Sequence, residues 1–445
     1  TGQKREVTMK AVILAAGQGR RIGAPERGRP KPLMRLLGLP LIVRTLLTLK
    51  EAGIRDVVIV VGYLGEMIKE YVGDGKRFGM KITYVENSRW DRGNALSMLA
   101  AEKVVEDRFL LLMSDHVLSP AIVRKVKNAR LSPGQAAVAV DKNPADYIDM
   151  DDATKVNLDN EKITAVGKNL QEFNGVDCGV FLLTKEVLEF ASEVVKRGRD
   201  SINGVMDELS KTGRLKAIDI GNEYWIDVDD QVSLKRAERL LLDNLIKPTD
   251  GLISRVLNRP ISKRLTRWLV NTNLTPNALS IISFVFCLIS ALLFALGSYI
   301  SFFFGGLLAQ FTSVLDGCDG EVARLKHQTS RYGAWLDAVL DRYGDAAIVL
   351  GIIYGLWTYT GNPKVWLVGY IALVGSLVSS YTATKYDELI RKKRLSTWRF
   401  GRDTRLFLVM LFSILNELYL FLLFIGVVSN LVSIRRLYIM RKAVV

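Results

Sequence analysis

Cysteine and histidine are scarce in this chain of 445 residues, which contains three of the first and two of the second. The cysteines, Cys178, Cys287 and Cys318, are odd in number and match no metal-binding or redox spacing, so we expect free thiols in a reducing compartment. With only His116 and His327 available, neither a histidine-based catalytic triad nor a zinc site is expected.

A signal peptide and the marks of nucleic-acid binding are also missing. No apolar segment of the secretory kind occurs near the N-terminus, so the first domain is predicted to remain in the cytosol. Residues 1–8 are expected to be a leftover of cloning, with Met9 as the natural start. The net charge is +15, but neither zinc-finger spacing nor the pattern of RNA readers accompanies it. We therefore expect no nucleic-acid partner.

Apolar residues are distributed in two different ways along the chain. Up to about Lys247 the apolar runs are short and interrupted by charge every few residues, whereas long apolar runs dominate from Asn277 onward. The first pattern suits water and the second suits lipid. We predict a soluble domain over residues 9–245, a linker with a juxtamembrane helix over 246–275, and a membrane domain over 276–445.

Short apolar runs typical of β-strands recur in the soluble half, with helix-like stretches between them. Such alternation predicts an α/β domain with a mostly parallel sheet. The runs are Ala11–Ala15, Val57–Val61, Leu110–Met113, Ala136–Val140 and Val180–Leu183.

The first of these runs leads into a glycine-rich turn, L-A-A-G-Q-G-R-R-I-G. Small residues after a strand let backbone amides approach a phosphate chain, and the start of a helix favours anions. Lys31 follows shortly after the turn. Asp115 stands just beyond the run Leu110–Met113, where a carboxylate can hold Mg²⁺ against a triphosphate, and Asp227 could complete the metal site.

The ordered combination of L-A-A-G-x-G-x-R-x-G, K-P-L and a strand-end aspartate resembles the sugar-nucleotide pyrophosphorylases, which are nucleotidyltransferases of the GT-A type with a Rossmann-like sheet. The resemblance covers roughly Met9 to Asp243. It implies that Arg20 and Lys31 are catalytic and that Asp115 and Asp227 hold Mg²⁺. The residues that it assigns to CTP are Leu14, Ala15, Ala16, Gly17, Gly19, Arg20, Lys31, Asn87, Asn94 and Asp115.

Two further features refine this resemblance. The stretch Glu86–Trp90, followed by Asn94 and Ser97, is more similar to the cytidylyltransferase branch than to the usual G-T-A version, which favours CTP as the nucleotide. Lys168 falls where such enzymes place a lysine for the substrate phosphate, although the usual E-K-P around it is absent. An ordinary surface lysine is the alternative at that position. The segment Asn174–Asp177 is expected to line the acceptor pocket.

The membrane half is predicted to cross the bilayer six times, since a helix needs about 20 apolar residues to span it. Basic clusters flank the cytosolic ends of these spans, which places both ends of the domain in the cytosol. The segment 253–270 is either an amphipathic helix on the inner surface or a plain connecting helix. The candidate spans are Asn277–Gly297, Tyr299–Leu315, Gly333–Tyr359, Val365–Thr384 and the two parts of Leu406–Val432, divided at Asn416-Glu417.

The strongest signal is a pair of aspartate motifs on consecutive helices, D-G-C-D-G-E-V-A-R from Asp316 and, after eight residues, G-A-W-L-D-A-V-L-D. Helical spacing puts Asp316 with Asp319 on one face, and Asp337 with Asp341 on one face of the next helix. A short connection makes the helices antiparallel, so the four carboxylates should converge. Such a cluster needs a cation, and oxygen ligands suit Mg²⁺ or Mn²⁺ with a diphosphate.

This arrangement resembles the signature of the CDP-alcohol phosphotransferases, D-x-x-D-G-x-x-A-R-x(8)-G-x-x-x-D-x-x-x-D, with every fixed position present from about Asn271 onward. The resemblance implies that Asp341 is the general base. The metal ligands that it implies are Asp316, Asp319, Asp337 and Asp341. The residues that it assigns to the CDP moiety are Asn277, Asp316, Asp319, Gly320, Ala323 and Arg324.

Basic residues in the same half are candidates for binding an acceptor phosphate. They are Lys385, Arg402 and Arg405, and for each the alternative is a cytosolic charge near lipid headgroups. Asp345 continues the face of the second motif and is expected to pair with Arg342.

The chemistry of the two halves connects, because the CDP-linked product of a cytidylyltransferase is the donor for a CDP-alcohol phosphotransferase. The fusion resembles the bifunctional enzymes of di-myo-inositol phosphate synthesis. That resemblance implies CTP, inositol-1-phosphate and CDP-inositol as ligands, Mg²⁺ or Mn²⁺ in both sites, and a multi-pass cell-membrane protein with both sites facing the cytoplasm. A homodimer through the membrane domain is a further expectation. The alternative is a phospholipid synthase with a CDP-lipid donor and a polar alcohol acceptor, whose nucleotidyltransferase half has a separate or regulatory role.

Overall fold

The computed structural model describes residues 9–24, 28–246, 250–393 and 400–444, without the side chains of 384–385, 387–393 and 442–444. Residues 1–8, the predicted leftover of cloning, lie outside this part. The chain divides into two compact units, Thr1–Leu240 and Leu241–Val445. The segment predicted as a linker, 246–275, thus groups with the second unit, where it forms a helix of its own.

The described part of the first unit contains thirteen strands. Their bounds are β1 Lys10–Ala15, β2 Arg35–Leu36, β3 Leu39–Pro40, β4 Asp56–Val61, β5 Lys81–Glu86, β6 Arg108–Met113, β7 His116–Leu118, β8 Ala136–Asp141, β9 Lys155–Asp159, β10 Lys162–Gly167, β11 Gly175–Thr184, β12 Leu215–Asp219 and β13 Trp225–Asp227. All five strands predicted from the sequence are among them.

Nine of these strands form one sheet in the order β5-β4-β1-β6-β11-β8-β12-β10-β9, and the pairs β2–β3 and β7–β13 form small ribbons. The α/β nucleotidyltransferase fold is confirmed, but the sheet is mixed rather than mostly parallel. Parallel pairing joins β5, β4, β1 and β6, and also β8 with β12, while β11 runs antiparallel to its neighbours. The hairpin β9–β10, which turns at Asn160 with φ of 56°, was missed because the polar residues Asn157 and Thr164 divide the apolar runs of its strands.

Helices cover both faces of the sheet. They are α1 Leu41–Glu51, α2 Gly65–Val72, α3 Ala95–Ala100, α4 Pro120–Lys127, α5 Lys185–Lys196, α6 Ile202–Lys211 and α7 Gln231–Asp243. Strand β1 shows why two cores form, because Ala11 and Ile13 enter one core whereas Val12 and Leu14 enter the other. Burial on both faces explains the nearly continuous apolar runs of the central strands.

The second unit is helical throughout its described residues. Its helices are α8 Arg259–Leu269, α9 Pro276–Ala295, α10 Tyr299–Leu325, α11 Arg331–Thr360, α12 Lys364–Lys393, α13 Arg402–Ile414 and α14 Leu418–Val444. Four described stretches are long and apolar enough to cross a membrane, namely Pro276–Ala295, Tyr299–Leu325, Lys364–Ala383 and Leu418–Arg441. The turn at Asn416-Glu417 is confirmed, and the count of six spans stays a prediction because α11 is charged and α13 is short.

A buried polar cluster fastens α8 to α10. The carboxylate of Glu321, which is 0% exposed, accepts hydrogen bonds from Arg259 Nη1 at 2.5 Å, Ser262 Oγ at 2.8 Å and Thr266 Oγ1 at 2.7 Å. These three donors are spaced by three and four residues, so they share one face of α8. One face of α8 therefore packs against α10 through polar contacts, and no sequence motif had singled out Glu321.

Candidate active sites

The glycine-rich turn after β1 packs directly against Lys31. Gly19 has φ of 68°, and a Cβ atom at this position would lie 2.5 Å from Cβ of Lys31. A side chain there would be strained and would displace the lysine. The predicted neighbours Leu14, Ala15 and Ala16 are buried beneath the turn.

Lys31 lies at the centre of a cluster of carboxylates. Its Nζ is 2.5 Å from Asp115 Oδ2 and 2.6 Å from Asp229 Oδ1. Burial by itself would lower the pKa of Lys31, but Asp115, Asp227 and Asp229 raise it above its ordinary value. Burial would likewise raise the pKa of Asp115, yet Lys31 and His116 hold it well below its usual range. Lys31 is therefore a permanent positive charge at this site.

Asp115, His116 and Asp227 can each place one ligand atom within 4.8 Å of the other two. The ribbon β7–β13 sets this geometry, because it pairs His116 directly with Asp227. Asp227 Oδ1 is buried without a hydrogen-bond partner among the described residues, which is a state that a cation would relieve. Two carboxylates fit Mg²⁺ or Mn²⁺. Sequence reasoning missed His116, although its position next to Asp115 at a strand end was a usable signal.

A cavity of about 560 Å³ lies beside this cluster, with Asp115, His116 and Asp227 in its wall. Lys168 and Asp177, which the sequence assigned to the substrate phosphate and the acceptor pocket, line it as well. The Asp177 carboxylate accepts a hydrogen bond from the Gly179 amide at 2.7 Å, and burial raises the pKa of this acid to about 6. The first unit thus has a cavity in which a polar substrate can reach the acidic cluster.

The remaining CTP residues are placed unevenly. Arg20 is exposed and its Nε donates to Gln18, whereas the adjacent Arg21 lines the cavity. Asn87 is buried and donates to Ser97 Oγ at 2.9 Å. Asn94 lines the cavity and accepts from the Ile202 amide at 2.8 Å. Arg21 was missed, although it is the arginine that fits the L-A-A-G-x-G-x-R pattern letter by letter.

In the second unit, α10 and α11 bring three aspartates of the two motifs together. Asp316, Asp337 and Asp341 can each place one carboxylate oxygen within 4.8 Å of the others. Asp319 is buried beside them, with its carboxylate bonded to the Ser280 hydroxyl. Three clustered carboxylates are a suitable oxygen donor set for Mg²⁺ or Mn²⁺. The convergence of both motifs at one place agrees with the helical spacing read from the sequence.

Arg402 supplies positive charge to this cluster from α13. Its Nη1 lies 2.9 Å from Asp316 Oδ1 and 2.8 Å from Asp341 Oδ1, and its Nε lies 2.9 Å from Asp345 Oδ1. Arg405 Nη2 lies 2.8 Å from the other oxygen of Asp345. The expected pairing of Asp345 with Arg342 is therefore corrected, because the two arginines of α13 occupy both of its oxygens.

The other residues assigned to the CDP moiety surround the first motif. Arg324 Nη2 donates to the Leu245 carbonyl at 3.3 Å, and a Cβ atom at Gly320 would lie 3.4 Å from Arg324 Nη1. Ala323 is buried on α10. Asn277 Oδ1 would lie 3.0 Å from a Cβ atom at Gly333, so its amide group contacts the start of α11. The side chain of Lys385 lies outside the described residues.

Two family models match the chain, one for each unit. The nucleotidyl transferase model matches residues 10–244, and the CDP-alcohol phosphatidyltransferase model matches residues 273–434. Together with the two acidic sites, these matches define a two-domain enzyme, a nucleotidyltransferase joined to a CDP-alcohol phosphotransferase.

Curated relatives from three organisms match along nearly the whole chain, and each carries the name bifunctional IPC transferase and DIPP synthase. The protein from Archaeoglobus fulgidus is 37% identical over 98% of this chain and 84% of its own length. The one from Rubrobacter xylanophilus is 37% identical over 97% of this chain and 96% of its own. The one from Aquifex aeolicus is 32% identical over 97% of this chain and 98% of its own length. The chain belongs to this family of bifunctional enzymes.

Proposed function

We propose that the first unit converts CTP and inositol-1-phosphate into CDP-inositol and diphosphate. The second unit then joins CDP-inositol to another molecule of inositol-1-phosphate and releases CMP. The product is a phosphorylated di-myo-inositol phosphate. The observation that carries this proposal is the presence of two separate acidic sites, Asp115 with Asp227 and Asp316 with Asp337 and Asp341, in a chain that its bifunctional relatives match over nearly its full length.

In the first step, a phosphate oxygen of inositol-1-phosphate bonds to the α-phosphorus of CTP. The bond from that phosphorus to the β-bridging oxygen breaks, and diphosphate leaves. Lys31 stabilises the negative charge that develops on the α-phosphate, because its surroundings keep it protonated. The backbone of the turn at Gly17 and Gly19, together with Arg20, cradles the triphosphate. Asp115 and Asp227 would hold Mg²⁺ or Mn²⁺, which supplies Lewis-acid stabilisation when bound.

In the second step, Asp341 takes the proton of an acceptor hydroxyl. The freed oxygen bonds to the β-phosphorus of CDP-inositol, and the bond from that phosphorus to the CMP oxygen breaks. Asn277, Gly320, Ala323 and Arg324 bind the CDP moiety. The four motif aspartates, Asp319 included, would hold the divalent cation, which neutralises diphosphate charge when bound. Arg402 and Arg405, with Lys385, are the candidates for the acceptor phosphate.

The four apolar helices support a membrane setting for both reactions. The protein spans the cell membrane several times, and both sites face the cytoplasm, since the basic connections lie there by the positive-inside rule. Cytosolic CTP and inositol-1-phosphate can then reach the first site, and CDP-inositol the second. A homodimer through the membrane domain is proposed as well.

Incubation of the full chain with CTP and inositol-1-phosphate tests the proposal. CDP-inositol and diphosphate should form first, followed by CMP and a water-soluble phosphodiester. Lys31→Met should abolish only CDP-inositol formation, and Asp341→Asn should abolish only CMP release from supplied CDP-inositol. A product that partitions into organic solvent would instead identify a phospholipid synthase. Loss of both steps in either variant would contradict two independent sites.

A further inference from the structure

A group of cationic side chains lies at the end of the sheet opposite to the one that carries Asp115. The strands β5, β4, β1 and β6 run parallel there, and Lys81 begins β5, Asp56 begins β4 and Arg108 begins β6. Asp115 follows the other end of β6, after Met113. A strand of six residues is about 17 Å long, so this edge is well separated from the acidic site of the first unit.

A cavity of about 790 Å³ opens at this basic edge of the sheet. Its described lining holds one carboxylate, Asp56, against five cationic side chains, which are Arg55, Lys76, Lys81, Arg108 and Lys127. The wall of the cavity beside Asp115, in contrast, carries seven carboxylates. Sites for small molecules have volumes of about 300–1,000 Å³, so the size of the basic cavity suits a compact ligand.

Local structure accounts for two of the five cations. Lys76 Nζ lies 2.8 Å from Asp74 Oδ2, and Lys127 Nζ donates to the Ala52 carbonyl at 3.5 Å, where α1 ends. The other three form no ion pair with a carboxylate of the described residues, and they are Arg55, Lys81 and Arg108. Like charges that gather without a counterion repel one another, and a bound anion would relieve this repulsion.

We propose that this cavity binds a small soluble polyanion that carries two or more phosphate groups, at a site separate from the acidic site of the first unit. Lys81 and Arg108 begin strands that lie three strand spacings apart, or about 14 Å, and Arg55 precedes the strand β4 between them. Cations spread over this width suit several linked phosphates better than one. The inference goes beyond the two proposed reactions and does not depend on them.

Calorimetric titration of the full chain in detergent micelles with inorganic tripolyphosphate tests the proposal. Buffer without divalent cations favours the basic cavity, because an anion meets carboxylates without a counterion at both acidic sites. Lys81→Gln combined with Arg108→Gln should weaken the binding at least about tenfold, since two charge-assisted hydrogen bonds are lost. Equal affinity of this double variant and the unchanged chain would overturn the proposal.

Lys103→Gln combined with Arg197→Gln is the matched control. It removes one lysine and one arginine from exposed positions that are not among the described residues lining the cavity. The control should bind tripolyphosphate as the unchanged chain does, and an equal loss of affinity would mean a general field effect and would overturn the proposal. The cavity variant should also form CDP-inositol at the unchanged rate, whereas a large fall would place this edge in the catalytic machinery and overturn a separate site.

A second titration distinguishes a soluble ligand from a lipid headgroup. Micelles that contain phosphatidylglycerol, added to the unchanged chain and to the cavity variant, should give equal heats. A binding signal that only the unchanged chain shows would identify the cavity as a site for anionic headgroups, and the choice of a soluble ligand would be overturned.

Discussion

The cluster around Glu321 allows a sharp test of how α8 is held against α10. Glu321→Leu removes a carboxylate that is 0% exposed and accepts from three side chains of α8. The guanidinium of Arg259 then keeps its ion pair with Asp250, whose Oδ2 lies 2.8 Å from Arg259 Nε. Breaking one side of a buried ion pair costs about 3–5 kcal/mol, because the partner charge stays buried without compensation. We expect the lower part of this range, since Asp250 remains.

The assay is heat inactivation of the full chain, sampled for both reactions. CMP release from supplied CDP-inositol should be lost at a lower temperature in Glu321→Leu, whereas CDP-inositol formation should be lost at the same temperature as before. Glu321→Gln keeps one acceptor oxygen for Arg259 and Ser262, and its amide NH2 can donate to the Thr266 hydroxyl, so this variant should show a smaller effect.

A second substitution, added to the first, distinguishes the effect of an uncompensated buried charge from the effect of lost packing. In Glu321→Leu with Arg259→Met, no charge of the pair is left buried, so most of the lost heat resistance should return. Equal inactivation temperatures for Glu321→Leu and the unchanged chain would refute the reasoning. So would a double variant no more resistant than the single one.

Further changes test the two sites separately. Gly19→Val should reduce CDP-inositol formation at least about 100-fold and spare CMP release, because its Cβ would lie 2.5 Å from Cβ of Lys31. Burial raises the pKa of Asp177 to about 6, so the native state binds this proton more tightly and loses stability as pH rises from about 4 to 6. In Asp177→Asn, the heat resistance of the first reaction should therefore fall less between these two pH values than it does in the unchanged chain. An equal dependence of heat resistance on pH in both proteins would contradict the assignment. Chelation of divalent cations should stop both reactions, and Mg²⁺ or Mn²⁺ should restore them; persistence of either reaction in chelator would exclude a metal there.

Much of this architecture can be predicted from the sequence, because its strongest signals are local. Apolar runs predicted β1, β4, β6, β8 and β11, and helical spacing predicted that Asp316, Asp337 and Asp341 would meet. A continuous apolar run and a helical spacing of three to four residues are both visible directly in a sequence.

The features that escaped prediction depend on contacts between distant segments. Asp229 and Asp152 matter through ion pairs with Lys31 and Arg21, 198 and 131 residues away. Glu321 falls at a variable position of its motif, and its role appears only when α8 lies against it. The mixed sheet was missed for a similar reason, since strand direction follows from pairing and not from composition.

Both sites contain a cation of the protein's own among the carboxylates, Lys31 in one and Arg402 in the other. In small zinc-dependent domains the ion is needed for folding, so chelation unfolds the chain. Here an amino-acid side chain already offsets part of the acidic charge. A newly synthesised chain should therefore fold in a cell that is short of divalent ions, and its metals can be exchanged during its working life without loss of the surrounding structure.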